Sequence, residues 1–246
     1  MRRLLAQDLL RLWETGLSEH PLDRALTILA AALPEMPWDD LADLPIGQRN
    51  KLLMAVREQI FGPSLPGVVQ CPACSASLEF VLDASTLQQT TPVEPARTIE
   101  HCCENGPVLR FRLPNSRDLA AILGSTDRSA ARLLLVRRCL TSAGQTDEDG
   151  ADHMEHLTDS GISTVAAQMA ERDPQAESQL ELLCPACGHS WQVAFDIASF
   201  LWAELSAQAK RLLGEVDALA HAYGWPEADI LSLSAARRQA YLEMAT

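Results

Sequence analysis

Aromatic side chains make up only 5% of the 246 residues. Cohesion must therefore come from aliphatic packing of Leu, Ala, Val and Ile rather than from ring contacts. Positive charge is also short: 20 Lys and Arg stand against 33 Asp and Glu, a formal net charge of −13. Such a balance repels phosphate backbones at long range and argues against a nucleic-acid partner, which usually meets a basic stripe. The longest apolar run, around Leu29–Leu33, falls far short of the ~20 residues of a membrane-spanning helix, so no membrane partner is expected. Arg2 and Arg3 precede two leucines, but Gln7, Asp8 and Arg11 interrupt any secretory hydrophobic region. With an odd count of seven cysteines, this predicts a cytoplasmic protein in a reducing compartment. Gly-x-Ser-x-Gly, Walker and His-Glu-x-x-His phrases are absent. The expectation is a chain that is not an enzyme and takes no small-molecule substrate.

What the chain does have is one phrase written twice: Cys71-Pro-Ala-Cys74 and Cys184-Pro-Ala-Cys187. Two-residue spacing lets both thiolates of a turn reach one metal ion, and four thiolates close a tetrahedral structural zinc site. The repeat runs on without a gap to Ser77 and Ser190, then to Asp83 and Asp196, so each copy looks like half of a zinc ribbon. Residues 75–183 separate them, far more than the roughly 15–20 of a compact four-cysteine site. A zinc ion held by Cys71, Cys74, Cys184 and Cys187 would pin two remote stretches together round a large insertion. Thioredoxin-like redox chemistry uses the same spacing, but it activates its thiol at a helix N-terminus. Here Leu78–Leu82 and Trp191–Phe195 read as strands. Structural zinc is favoured over a redox pair and over unliganded cysteines.

The periodicity predicts an α+β chain in three parts. Residues 1–62 read as helical, with a helix from about Leu4 to Gly16, a second over Pro21–Ala32 and a third over about Gln48–Phe61. Between the last two, Pro37 to Gly47 reads as a turn-rich joint. Residues 63–196 read as a small antiparallel zinc-ribbon-like sheet interrupted by a helical insertion at about 115–172. Within it, 84–96 reads as a loop, Thr98–Cys103 and Val108–Leu113 as a hairpin, and Ser116 as a helix cap. Residues 197–246 read as a long helix, Ile197–Ala222, broken at Tyr223-Gly224-Trp225-Pro226 and followed by a helical hairpin.

Other clusters carry weaker signals. In His101-Cys102-Cys103-Glu104 the adjacent cysteines of a strand point to opposite faces, which suits a hairpin edge with one buried thiol. Whether His101 or His189 approaches the metal stays open. Cys139 sits on the apolar side of a helix and reads as core. His153 and His156, among Asp147, Glu148, Asp149, Asp152 and Glu155, read as a solvated acidic loop rather than a second metal site. The chain's ending has two readings. Trp225, Ile230, Arg237, Arg238 and Tyr241 either pack as a helical hairpin or present a docking surface to another protein.

One resemblance joins these features. Leu44-Pro45-Ile46-Gly47-Gln48-Arg49-Asn50, the two knuckles, Phe195-Asp196-Ile197 and Tyr223-Gly224-Trp225-Pro226-Glu227-Ala228-Asp229-Ile230-Leu231 together resemble small zinc-knuckle proteins of contractile injection system gene clusters. Those systems build headless, phage-tail-like particles. The helical start and the ending are similar to T-even-phage baseplate and baseplate hub assembly proteins. The resemblance implies a non-enzymatic structural or chaperone-like assembly role, with baseplate or hub and spike proteins as partners and incorporation into the assembled particle. The competing class is a zinc-ribbon regulatory protein that binds nucleic acid or a protein partner through Arg237 and Arg238.

Overall fold

The computed structural model describes residues 1–87, 98–102, 108–141 and 159–245. It is an α+β protein whose chain divides into two compact units. Met1–Trp38, Leu53–Gly62 and Asp196–Thr246 form one; Asp39–Leu52 and Pro63–Phe195 form the other.

The first unit is helical among its described residues. Helix α1 (Ala6–Gly16) starts where the Asp8 carboxylate accepts the Leu5 N–H at 2.9 Å, satisfying one of the donors a helix start leaves orphaned. Helix α2 (Pro21–Ala32) begins with proline at its first position, where no N–H is needed. It buries Ala25, Leu26, Ile28, Leu29 and Ala32. The spine is α9 (Ile197–Tyr223), which packs against α1, α2, α10 (Glu227–Ser232) and α11 (Ala235–Ala245). Leu201, Leu205, Ala209, Leu212 and Leu219 recur at helical spacing on its inner face and are almost wholly buried. Each buried leucine contributes about 1.5–3 kcal/mol. Gly224 ends α9 in the left-handed conformation, φ 69°, where a glycine carries no Cβ penalty. Arg57, 1% exposed, crosses this core to make a bidentate pair with Glu204 at 2.7 and 2.8 Å.

The second unit holds all the strands among the described residues. β1 (Ser64–Gln70) pairs with β2 (Ser77–Asp83), β3 (Ile99–Cys102) with β4 (Val108–Phe111), and β5 (Ser178–Leu183) with β6 (Ser190–Phe195), each antiparallel. Among the described residues the expected small antiparallel sheet takes the form of three two-stranded ribbons. A helical core lies beside them: α6 (Ser116–Ile122) packs on α7 (Arg128–Cys139), and α7 on α8 (Asp159–Arg172). Phe111, Leu113, Val136, Cys139, Ile162, Val165 and Met169 close it. At its edge Asp118 is completely buried and takes Arg112 and Arg138 on its two oxygens, at 2.9 and 3.0 Å through Oδ1.

Three local expectations change. The joint before α4 (Ile46–Phe61) contains a further short helix, α3 (Trp38–Asp43), whose first turn carries the carboxylates of Asp39 and Asp40, which suit a helix start. The stretch after β2 opens with one helical turn, α5 (Ala84–Leu87), before residues 88–97, which lie outside the described residues. Asn115, not Ser116, caps α6: its side chain accepts the Asp118 N–H while Asp118 accepts the Asn115 N–H, both at 3.1 Å. Asparagine wins because this reciprocal box needs the acceptor three residues before the aspartate.

Candidate metal centre

The β1–β2 and β5–β6 hairpins each turn through a cysteine knuckle, and the two turns have the same backbone. Cys71 N–H donates to the Ala76 carbonyl and Ser75 N–H to the Cys71 carbonyl, at 2.9 and 2.8 Å. In the second knuckle Cys184 N–H donates to the His189 carbonyl and Gly188 N–H to the Cys184 carbonyl, both at 2.9 Å. The fifth residue of each turn is left-handed, Ser75 at φ 60° and Gly188 at φ 71°. This tight turn lets the first and fourth residues aim their side chains to the same side.

All four predicted ligands are brought together. The sulfurs of Cys71, Cys74, Cys184 and Cys187 lie within 4.8 Å of one another. Cys71 Sγ is 3.7 Å from Cys187 Sγ, and Cys74 Sγ is 3.7 Å from Cys184 Sγ. All four are free thiols. A tetrahedral ion with metal–sulfur bonds of ~2.3 Å requires sulfur–sulfur edges of about 3.8 Å, so the donor set and its spacing fit a four-thiolate metal site. Cys71 and Cys184 are buried and Cys74 and Cys187 exposed, giving each knuckle one inner and one outer ligand.

Crowding moves the ionisations of Cys74, Cys184 and Cys187 apart. Burial works against a thiolate at Cys184, but the backbone N–H groups of Cys187 and Ala186 and the thiols of Cys187 and Cys74 outweigh it, bringing the group to about 7. At Cys187 the His189 N–H favours the thiolate, yet contact with Cys74, burial, and contact with Cys184 and Cys71 push it up to about 12. Cys74 is raised too: the Ala76 N–H and Cys187 lower it, while burial, Cys184 and Cys71 more than compensate. Cys184 forms its thiolate most readily, whereas at Cys74 and Cys187 a cation would offset the repulsion between neighbouring thiolates.

The remaining candidates are placed differently. His189 is exposed and its ring stacks on Trp191 at 5.8 Å, and it is not part of the four-sulfur cluster. The side chains of His101 and Cys102, with Cys103, His153 and His156, lie outside the described residues. Cys139 is buried in the helical core, and burial, with Asp118 second, pushes its thiol up to about 12. At the chain's ending, Tyr223 stacks on Trp225 at 4.7 Å and Tyr241 meets both rings edge-on. Trp225 and Tyr241 are half-buried, and Arg237 is exposed. Ile230 is fully buried, and Arg238 is buried with its Nε donating to Glu215 at 2.7 Å. Those two side chains are spent inside the fold, so a docking surface there is left to Trp225, Arg237 and Tyr241.

The motif Leu44–Asn50 has a structural task that its sequence does not reveal. Ile46 N–H donates to the Pro114 carbonyl at 3.0 Å and Gly47 N–H to Asp173 at 2.9 Å. Buried Arg49 reaches the Ser116 hydroxyl at 3.3 Å, and Asn50 donates to the Gln175 carbonyl at 3.0 Å. One short segment thus ties the start of α6 to the turn after α8, which leads directly into β5 and the second knuckle.

These features define an α+β protein organised round a four-thiol clasp. The chain belongs to the T4 bacteriophage base plate protein family: the family model matches residues 25–202, well over half its length. Both knuckles and the Leu44–Asn50 clasp lie within the match, whereas the Trp225 ending lies beyond it. Searches of curated proteins and of solved structures return no match. Membership supports a structural role associated with a base plate, with other base plate proteins as partners, in a phage-like particle. No described helix is long and apolar enough to cross a membrane.

Proposed function

We propose that this chain is a non-enzymatic structural or assembly protein of the base plate of a contractile, phage-tail-like injection particle, and that its four cysteines hold one structural zinc ion. The observation that carries the reading is the gathering of four thiols, from knuckles more than a hundred residues apart, in a chain of base plate descent. Thiolate ligands in a closed tetrahedron select zinc or iron, and zinc serves where no redox chemistry is needed. When bound, the ion supplies cross-linking alone, since no coordination position is left open.

The chain's own residues do the rest. Left-handed turns at Ser75 and Gly188 aim the sulfurs, and the Leu44–Asn50 clasp fixes where β5 begins. Structural zinc in small peptides binds with an apparent ~10–16 kcal/mol, a large share of any domain's stability. The clasped body then holds its shape while helices dock on hub, spike or other base plate subunits. Trp225, Arg237 and Tyr241 supply the aromatic and arginine chemistry that such interfaces favour. A nucleic-acid reading through Arg237 and Arg238 loses support because Arg238 is already paired with Glu215.

Metal analysis of protein purified without added metal tests the zinc claim, with one zinc ion per chain expected. Gradient-purified particles test the placement. A stoichiometric band makes the chain a permanent component; its absence from finished particles, with retention by base plate subunits in a pull-down, makes it an assembly factor. Metal-free protein that keeps its fold, with no retention by base plate subunits, would overturn the proposal.

A further inference from the structure

Two sulfur contacts of 3.7 Å, short enough for a metal site, also set up a definite pairing of the thiols. Each joins one knuckle to the other, and each pairs an exposed sulfur with a buried one: Cys187 with Cys71, and Cys74 with Cys184. We infer that the centre is also a two-step oxidation site for hydroperoxides, in which exposed Cys74 and Cys187 are attacked and buried Cys184 and Cys71 resolve them into two cross-knuckle disulfides. This extends the zinc reading, on which its metal-release arm rests.

The chemistry balances. A hydroperoxide transfers one oxygen to the exposed sulfur, giving a sulfenic acid and an alcohol or water. The buried partner's sulfur then attacks that sulfenic sulfur, the S–O bond breaks, water leaves, and a disulfide forms. Starting from the zinc-loaded centre, two hydrogen peroxide molecules and four protons yield two disulfides, four waters and one free zinc(II). Contact at 3.7 Å must close to ~2.05 Å, so each sulfur travels only about 0.8 Å.

The pairing matters more than the oxidation. Disulfides within a knuckle, Cys71 to Cys74 or Cys184 to Cys187, would close loops of four residues and release one hairpin from the other. Cross-knuckle bonds close loops of over a hundred residues, and a longer closed loop constrains the unfolded chain more. Oxidation therefore exchanges a metal clasp for a covalent one between the same two turns. A particle built in a reducing compartment and working outside it would keep this body intact in either state.

The test uses the full chain, zinc-loaded, treated with hydrogen peroxide, then alkylated, digested and mapped by mass spectrometry, with released zinc read by a chromogenic chelator. Expected are Cys71–Cys187 and Cys74–Cys184 peptides as the main products, one zinc released for every two disulfides, and Cys139 still alkylatable after unfolding. Cys71–Cys74 and Cys184–Cys187 as main products would overturn the inference and leave zinc binding untouched. If the purified chain carries no zinc, the zinc reading fails, and the same map on metal-free protein still decides the pairing. In Cys74→Ser, Cys71–Cys187 should still form while Cys184 stays free; a scrambled pairing there also counts against it.

Discussion

Ser75 and Gly188 occupy the same place in the two knuckles, and both are left-handed, at φ 60° and 71°. One knuckle has the residue this conformation favours and the other does not. A left-handed non-glycine residue costs roughly 1–2 kcal/mol. A Cβ added at Gly188 would meet nothing within 4 Å, so any penalty there is purely one of backbone conformation.

The two positions should therefore respond in opposite directions. Ser75→Gly is expected to stabilise the metal-loaded chain by up to about 1 kcal/mol, the relief being partly offset by glycine's greater freedom when unfolded. Gly188→Ala is expected to cost about 1–2 kcal/mol. Thermal melts of both variants check this. Equal melting temperatures for wild type and Gly188→Ala would show that the second turn is not held where it is described.

Metal removal should loosen the strands that lead into the knuckles. Chelation by a strong zinc ligand is expected to raise amide hydrogen exchange across β1, β2, β5 and β6, because each of these ribbons has only two strands and is marginal in water by itself. Acid should act in the same direction, since protons compete with the ion for thiolates. Unchanged exchange in all four strands after verified metal loss would mean that the ribbons are held by packing alone.

Much of this fold could be read from spacing, and the failures share a cause. The knuckles were legible because a metal site demands a fixed local phrase, and the chain writes it twice. The boundaries of α2 and α9 followed from Pro21 and Gly224, residues whose backbone chemistry acts locally. Long-range partners were not legible. Nothing local says that Asn50 bonds the Gln175 carbonyl or that Arg49 is buried against Ser116. Likewise Ile230 and Arg238 share the composition of an interface, and only their burial against the body of the first unit shows that their surfaces are already used. The three separate ribbons could not be told from one sheet, because strand partners beyond a hairpin leave no mark in spacing.

Asp118 should make stability depend on pH. Burial opposes its ionisation, but hydrogen bonds from Arg112, the Asn115 N–H, the Arg112 charge and Arg138 hold its carboxyl below the usual carboxylate range. A lowered folded pKa means that the stabilisation is complete above about pH 4, the unfolded value, and drains away as pH falls through the folded one. Asp118→Asn keeps the helix cap but strands two guanidinium groups. Both are about one-third exposed, so the loss at neutral pH should be about 2–3 kcal/mol rather than the 3–5 of a wholly buried pair. Denaturant melts should show the gap between wild type and variant closing below pH 4. A gap independent of pH would assign the loss to packing instead of charge.

Asp173 should behave with the opposite sign, and Gly47 explains why. Burial raises the Asp173 carboxyl, while the single N–H from Gly47 lowers it without overcoming the burial. A raised folded pKa means that the charged form weakens the fold, so the Asp173 contribution taken alone should rise as pH falls through the folded pKa and be complete below the unfolded value near 4. Asp173→Asn still accepts the Gly47 N–H and carries no charge, and is expected to match or slightly exceed wild type at neutral pH. Gly47→Ala is different. Its new Cβ would collide with Asp173 Oδ1, so the carboxylate must move and the hydrogen bond breaks. Overpacking of this kind costs about 1–3 kcal/mol. Because Gly47 anchors the turn that feeds β5, the loss should also appear as weaker zinc retention in competition with a chromogenic chelator. Full zinc retention in a destabilised Gly47→Ala would show that the clasp supports the helical core but does not position the second knuckle.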